Sequence, residues 1–132
     1  MTSKAICNVI RARVKAQLAT YTIAYDNAAF TPPVTGAYLD VQVIFGEQIQ
    51  VSLGSTGQKR FRQVGILNVG VNVPVNTGDA DGLDIVDAIT SAFRSITVSG
   101  VTFRTPSPLR IGQDGKYYRL AVQCPFYADH IG

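Results

Sequence analysis

The chain has 132 residues, a length typical of one domain with a single buried core, and we expect one domain over residues 1–132. Its 46% hydrophobic and 16% charged residues exclude an intrinsically disordered chain, and its apolar runs are too short to span a membrane. The net charge of +3 does not by itself predict nucleic-acid binding, and the first residues lack the apolar segment of a signal peptide, so we expect a soluble protein made in a reducing cytoplasm.

The N-terminal segment predicts an amphipathic helix over residues 3–19, with Ser3 available as its N-cap. Its apolar residues recur at helical spacing: Ile6, Val9, Ile10, Val14 and Leu18. On another face, Lys4, Arg11 and Lys15 form a basic stripe. A solvated surface is the simple explanation of this stripe, and a charge patch between subunits is the alternative.

A short strand over 22–26 and a proline-rich loop over 30–36 precede the clearest pattern in the sequence, residues 38–53. Odd positions there are apolar and even positions mostly polar, which predicts a strand. The odd apolar residues are Leu39, Val41, Val43, Phe45, Ile49, Val51 and Leu53. So long a strand is unusual, and we expect a bulge or bend at Gly46 and Glu47, because a glycine inside a strand often marks one.

Beyond this bend, residues 48–53 are expected to pair with residues 60–66 and to form a β-arm over about 47–66. The returning strand carries Leu67, Val69, Val71 and Val73 on one face. Val64 and Ile66 lie on the other face, so the strand is apolar on both sides near the arm. Two explanations remain open, a bulge or an arm whose outer face another chain covers.

A basic cluster of Lys59, Arg60 and Arg62, interleaved with Phe61, begins the return of the arm and is predicted to lie on an exposed loop. Cations beside an aromatic residue also suit nucleic-acid binding. In a monomer, a solvated hairpin tip that discourages edge aggregation is the simpler explanation. In a ring, each cation would be repeated around the axis and produce a strong local field.

Residues 76–96 predict a second helix, and its apolar face consists of Val86, Ile89, Phe93 and Ile96. Asp79, Asp81 and Asp84 fall in its first turns, where carboxylates interact favourably with the helix dipole. Together with Asp87, Asp81 and Asp84 are a candidate acidic patch between subunits.

Residues 101–127 predict a hairpin that turns at Asp114 and Gly115, a pair suited to positive φ angles. Its inward face consists of Tyr118, Leu120, Val122, Cys124 and Phe126. The order of helix, strands, helix and hairpin predicts an α+β fold: a mostly antiparallel sheet with two helices packed on it and an extended β-hairpin arm.

No set of residues in the sequence predicts catalysis. The single histidine, His130, is two residues from the end of the sequence, and with Cys7 and Cys124 in apolar patterns it does not suggest a zinc site. Both cysteines are expected to be buried, unpaired thiols. The glycines of residues 54–61 lack P-loop spacing. We therefore expect no enzyme, no metal and no cofactor.

Three blocks of the sequence, residues 23–47, 51–78 and 103–127, resemble the tail terminator-like proteins of tailed bacteriophages. The resemblance covers nearly the whole chain. It implies a small α+β protein that forms a homohexameric ring on the last ring of the tail-tube protein, stops tube polymerisation and offers the surface for joining a filled head. Double-stranded DNA would pass through this ring without sequence-specific contacts.

The resemblance also implies roles for the arm and a place in the virion. Contacts with a neighbouring subunit, the tube or the lumen are expected from Ile49, Val51, Leu53, Lys59, Arg60, Phe61, Arg62, Val64 and Ile66. The protein would lie at the head-proximal end of a siphophage tail after assembly in the host cytoplasm. The alternatives are a head-completion or connector protein, a tail-tube protein and, from another class, a nucleic-acid-binding module.

Overall fold

The computed structural model describes residues 2–25, 36–51, 57, 59–75, 80–115 and 117–131. In these residues the chain forms two helices and seven strands. In chain order they are α1 (Ser3–Gln17), β1 (Ile23–Tyr25), β2 (Tyr38–Gln50), β3 (Arg60–Pro74), α2 (Ala80–Phe93), β4 (Thr97–Val98), β5 (Val101–Phe103), β6 (Ser107–Asp114) and β7 (Tyr117–Ile131). The predicted α+β class is confirmed.

The N-cap of helix α1 is one residue earlier than predicted. The side chain of Thr2, not Ser3, accepts a hydrogen bond from the backbone N–H of Ala5 at 3.1 Å, which satisfies one of the free donors of the first turn. The helix ends at Gln17, two residues before the predicted end, and Leu18 is its C-cap. The predicted apolar face is buried at Ile6, Ile10, Val14 and Leu18, and Val9 packs against the core.

The strands form one sheet in the order β1-β2-β3-β7-β5-β4, with β6 also paired to β7. Strand β1 runs parallel to β2, and the other pairs are antiparallel, so the sheet is mixed but mostly antiparallel as predicted. The two central strands, β3 and β7, have 15 residues each and pair without a register shift from Arg60 opposite Ile131 to Pro74 opposite Tyr117.

The predicted bulge at Gly46 and Glu47 is confirmed. Phe45 pairs with Gly65 and Gln48 pairs with Gln63, so these two residues lie opposite Val64 alone. The amide of buried Gln63 stabilises this geometry, because its Nε2 donates hydrogen bonds to the carbonyl oxygens of Gly46 at 2.9 Å and Val64 at 2.8 Å.

The arm has a third strand that the sequence did not predict. Residues 48–50 of β2 pair with residues 61–63 of β3, as expected. The C-terminal half of β7 then continues along the other side of β3 to Ile131. His130 therefore lies within a strand, opposite Phe61.

Helix α2 ends at Phe93, three residues before the predicted end. Val86, Ile89 and Phe93 are buried as predicted, but Ile96 follows the helix and packs against the core from the next segment. Ser95 adopts a φ of 49°, in the left-handed region, which a right-handed helix cannot continue through. The prediction for Asp79 lies outside the described residues.

The predicted C-terminal hairpin is divided. Its first strand is two separate pieces, β5 and β6, which pair with different parts of β7. Asp114 is the last residue of β6 and pairs with Tyr117, so the turn begins at Gly115 and not at Asp114 as predicted. The predicted inward face is confirmed, since Leu120, Val122, Cys124 and Phe126 are buried and Tyr118 packs against them.

The buried side chains of both helices and one face of the sheet form a single cluster. Three phenylalanine rings meet within it. Phe103 contacts Phe93 edge to face at a centroid distance of 5.0 Å and lies 6.3 Å from Phe126. The opposite face of the sheet, called the outer face below, carries the side chains that alternate with these buried ones.

Candidate functional site

The bulge in β2 changes which side of the sheet the apolar residues of the arm face. Before it, Phe45 lies opposite Gly65 on the face of the core. After it, Ile49 lies opposite Arg62 on the outer face. The sequence pattern placed Phe45 and Ile49 on one face, and this prediction is wrong because the bulge adds one residue to β2 and none to β3.

As a result, apolar side chains gather on the outer face of the arm. Ile44 pairs with Ile66, and they are 45% and 37% exposed. Ile49 and Val51 are also exposed, and Val64 is half-buried beside them. We call Ile44, Ile49, Val51, Val64 and Ile66 the arm patch. Leu53, predicted to belong to this surface, lies outside the described residues.

The bulge and the apolar outer face, offered by the sequence as alternatives, occur together. The bulge lies in β2, whereas Val64 and Ile66 lie in β3, which has no register shift against β7. Their outward direction is therefore the normal alternation of β3. In the subunit, this apolar surface is open to solvent.

The predicted basic loop is largely a strand. Arg60, Phe61 and Arg62 belong to β3, and Lys59 comes immediately before it. Arg60 and Arg62 lie on the outer face, while Phe61 points to the other side and stacks on His130 at a centroid distance of 5.7 Å. Arg60 and Arg62 therefore lie on the opposite face from the ring of Phe61.

Arg62 is bound within the subunit. Its Nε donates to Oδ1 of Asp129 at 2.8 Å and its Nη2 donates to Oδ2 at 3.1 Å, a two-pronged arrangement typical of strong arginine–carboxylate pairs. The guanidinium also lies 4.3 Å from the ring centre of Tyr127. The hydrogen bonds from Arg62 lower the pKa of Asp129, and the same contact raises the pKa of Arg62. Arg62 thus has its charge matched within the chain.

Sequence reasoning missed this pair because Arg62 and Asp129 are 67 residues apart. Their contact depends on the pairing of β3 with β7, in which they are directly opposite. Had the predicted C-terminal strand been extended beyond residue 127, its pairing with β3 would have placed Asp129 opposite Arg62.

Replacing Asp129 with asparagine is expected to lower the melting temperature by a few degrees at pH 7 and to have little effect in acid. The pKa of Asp129 is lower in the folded chain than its unfolded value near about 3.9, so its stabilisation is present above that pH and is lost as pH falls through the folded pKa. Thermal unfolding between neutral pH and about pH 2.5 measures this difference. Gln123→Ala, at an exposed uncharged position of the same strand, is the control and should show no difference that disappears in acid. A difference that persists unchanged in acid would contradict the assignment.

The outer face is polar away from the arm. Asp40 accepts hydrogen bonds from Asn72 at 2.9 Å and from Arg119 at 3.1 Å, which links three adjacent strands. Gly70 lies opposite Asp40, and a β-carbon there would collide with the carboxylate. The outer face thus has a polar base and an apolar arm.

The predicted charge patches lie on the two helices. Lys4, Arg11 and Lys15 are exposed along α1, and Asp81, Asp84 and Asp87 are exposed along α2. Their roles in contacts between subunits remain predictions.

A further basic residue of α1, Arg13, has a role in the fold. Its Nε and Nη2 donate to the carbonyl oxygen of Ala92 at 3.3 Å and 2.9 Å. This contact places a cation at the C-terminal end of α2, where it stabilises the helix dipole.

A second exposed apolar surface was not predicted. Leu109 and Ile111 of β6 are 48% and 53% exposed, and Leu83 is 39% exposed on α2, which contacts β6. We call these three residues the edge patch. A bulge at Ile111, between Arg110 and Gly112, turns the strand there. The sequence contained one signal for this surface: Leu109 and Ile111 flank charged Arg110 in the first strand of the predicted hairpin.

The thiols differ in their surroundings. Cys124 is buried, and burial raises its pKa to about 11. Cys7 is free and only half-buried, so the prediction of a buried thiol is correct for Cys124 and wrong for Cys7. Among the described residues, no group of three or more His, Cys, Asp or Glu side chains could hold a metal ion. None of the helices in the described ranges has the length and apolar character to cross a membrane.

Comparisons with known proteins identify a family and support the fold. Residues 5–126 match a family model described as phage tail terminator protein. No curated relative matches the chain by sequence. A solved structure that carries no functional name is similar with a TM-score of 0.69 and 20% identity, over 100% of this chain and 98% of that one. At this identity the likeness supports the fold only.

Proposed function

The chain belongs to the phage tail terminator protein family, and from that premise we propose that it forms a homohexameric ring that caps the tail tube, stops tube polymerisation and provides the surface for head joining. Its partners are further copies of itself, the tail-tube protein and a head-completion or connector protein. It lies at the head-proximal end of a siphophage tail, and double-stranded DNA crosses the ring without sequence-specific contacts.

The arm patch is the observation that carries this proposal. Four of its five side chains are exposed aliphatic groups on one face of a three-stranded arm. A contiguous apolar surface of this kind marks a site of protein association, because a monomer gains nothing from leaving it in water. In an assembled ring, a neighbouring subunit or the tube covers it.

Capping then follows from two unlike ring faces. One face matches the end of the growing tube, and the opposite face does not accept another tube ring, so growth ends by geometry without chemistry. The division of the outer face into a polar base around Asp40 and an apolar arm supports this, since the two parts suit different neighbours.

Lys59 and Arg60 provide the exposed positive charge of the arm. Arg60 is exposed and Lys59 is half-exposed. In a six-fold ring, these two cations are repeated around the axis and form a basic band, which suits either an acidic protein surface or the phosphates of DNA in transit.

The test is the length of tails made by the parent phage without this gene. Headless tubes of excessive and variable length, measured by electron microscopy, are the expected result, and a plasmid copy of the gene should restore normal length. Tails of correct length that fail to join filled heads would overturn termination and identify a head-completion protein instead. Filaments grown by the purified chain itself would identify a tube protein.

A further inference from the structure

Exposed large apolar side chains in the described part of the chain fall into two groups. One group lies on the arm and consists of Phe45 and exposed members of the arm patch. The other is the edge patch of Leu83, Leu109 and Ile111. Each group is a surface from which water would be displaced by an apolar partner.

The two patches lie toward opposite edges of the sheet, and Leu109, which is opposite Ala121, shares the outer face with the arm patch. Strands β3 and β7 separate β2 from β6, so Ile44 and Ile49 of β2 lie three strand spacings from β6, or about 14 Å across the sheet at about 4.8 Å per spacing, and Val64 and Ile66 of β3 lie two. Two different patches at separate places on the subunit are what a head-to-tail contact requires, because each subunit then uses one patch for each neighbour. A two-fold dimer would instead need one patch that matches itself.

The charges beside the two patches are opposite. Lys59 and Arg60 lie at the end of the arm, whereas Asp84 and Asp87 are exposed on α2, the helix that carries Leu83. Each surface also carries one charge of the other sign. Glu47 is exposed on the arm, and Arg110 is exposed on β6. Opposite charges around an apolar centre favour the correct orientation of two proteins.

The free edge of β6 is unsuited to pairing with a further strand. Pro108 lies within this edge strand and has no N–H to donate, and the bulge at Ile111 interrupts its ladder. Both features discourage the addition of a further strand. A partner would therefore pack on the side chains of Leu109 and Ile111.

We infer that the arm patch of one copy packs on the edge patch of the next copy, with Lys59 and Arg60 beside Asp84 and Asp87. This contact rests on the proposed ring and deepens it, since it names both halves of the subunit interface. The occupant of each patch is a second copy of this chain.

Two single variants of the purified chain test the contact, and light scattering after size exclusion measures their mass. Ile49→Glu disables the arm patch and Ile111→Glu disables the edge patch, both at exposed positions. Each variant alone is expected to remain near the monomer mass of 14.2 kDa, whereas the native chain assembles. An equal mixture should form a particle of twice that mass, because one variant keeps the arm patch and the other keeps the edge patch. Gln48→Glu and Gln113→Glu, on the same strands outside the patches, are the controls and should assemble normally.

Three results would overturn the inference. The mixture could stay monomeric, Ile111→Glu could assemble like the native chain, or the native chain could remain monomeric at about 1 mM, a concentration at which even a weak specific contact is half occupied.

A charge reversal provides a second measurement that leaves the apolar surfaces intact. Arg60→Glu and Asp87→Lys are each expected to weaken assembly at least tenfold, and a chain that carries both should recover most of that loss, with circular dichroism confirming that each variant is folded. A double variant as weak as the single ones would contradict the pairing.

Failure of the inference and failure of the proposed function give different results. Overlong tails without the gene, combined with a mixture that does not pair, would leave a terminator that assembles through other surfaces. Pairing of the mixture, combined with tails of normal length, would leave the interface and remove the terminator function.

Discussion

Replacing Phe103 with alanine is expected to lower the free energy of unfolding by about 3–5 kcal/mol. The side chain is 1% exposed and lies between the rings of Phe93 and Phe126. It belongs to β5, which pairs with β7 and contacts α1, so the cavity would lie where both helices meet the sheet. Urea unfolding followed by circular dichroism measures the loss.

Two further variants test whether the loss in Phe103→Ala comes from the cavity left at a fully buried position. Phe103→Leu keeps an apolar group of similar reach and should cost less than about 1.5 kcal/mol. Phe45→Ala removes a ring that is 37% exposed and should cost clearly less than Phe103→Ala. A loss below about 1 kcal/mol for Phe103→Ala would contradict the three-ring core, because a side chain packed on all sides cannot be truncated so cheaply.

Replacing Gly65 with valine is expected to cost about 3 kcal/mol or to prevent folding. A β-carbon at this position would lie 2.6 Å from the backbone oxygen of Ile44 and 2.5 Å from Cζ of Phe126. The oxygen belongs to the neighbouring strand next to the bulge and cannot move without disturbing the pairing of β2 with β3. Gly65→Ala should also be destabilising, because the β-carbon alone makes these close contacts. Its effect should be smaller than that of valine, because alanine adds no further atoms.

The neighbouring residue offers a matched control for Gly65. Ile66 points to the outer face and is 37% exposed, so Ile66→Val should change the free energy of unfolding by less than about 0.5 kcal/mol. Thermal and urea unfolding of the three variants give the comparison. If Gly65→Val were as stable as Ile66→Val, the close approach of β2, β3 and β7 at the bulge would be wrong.

The interior of the fold was predictable because its signals are local. Helical spacing identified the buried face of α1, and alternation identified the buried residues of β3 and β7. Gly46 marked the bulge because a residue without a side chain is the common choice there. The ends of elements were less accurate, since α2 stops where Ser95 enters the left-handed region, a conformation that no side-chain pattern announces.

The candidate surfaces were less predictable than the core. The arm was recognised, but its apolar residues were assigned to the wrong face after the bulge, because the face depends on how many residues the partner strand places opposite it. The edge patch was missed because Leu109 and Ile111 match the apolar residues of any strand. Only the position of β6 beside β7, with no further strand beyond it in the described residues, leaves them exposed.

The residue pattern by itself determined the α+β class, the buried faces, the bulge and the resemblance to tail terminators, all of which depend on spacing along the chain. The tertiary structure decided which charges and apolar groups remain available to partners. Arg62 pairs with Asp129, His130 stacks on Phe61, and Ile49 turns to the outer face, because β3 lies between β2 and β7 in one fixed register. Register joins residues distant in sequence, and it therefore determines the surface of this protein in a way that local spacing cannot.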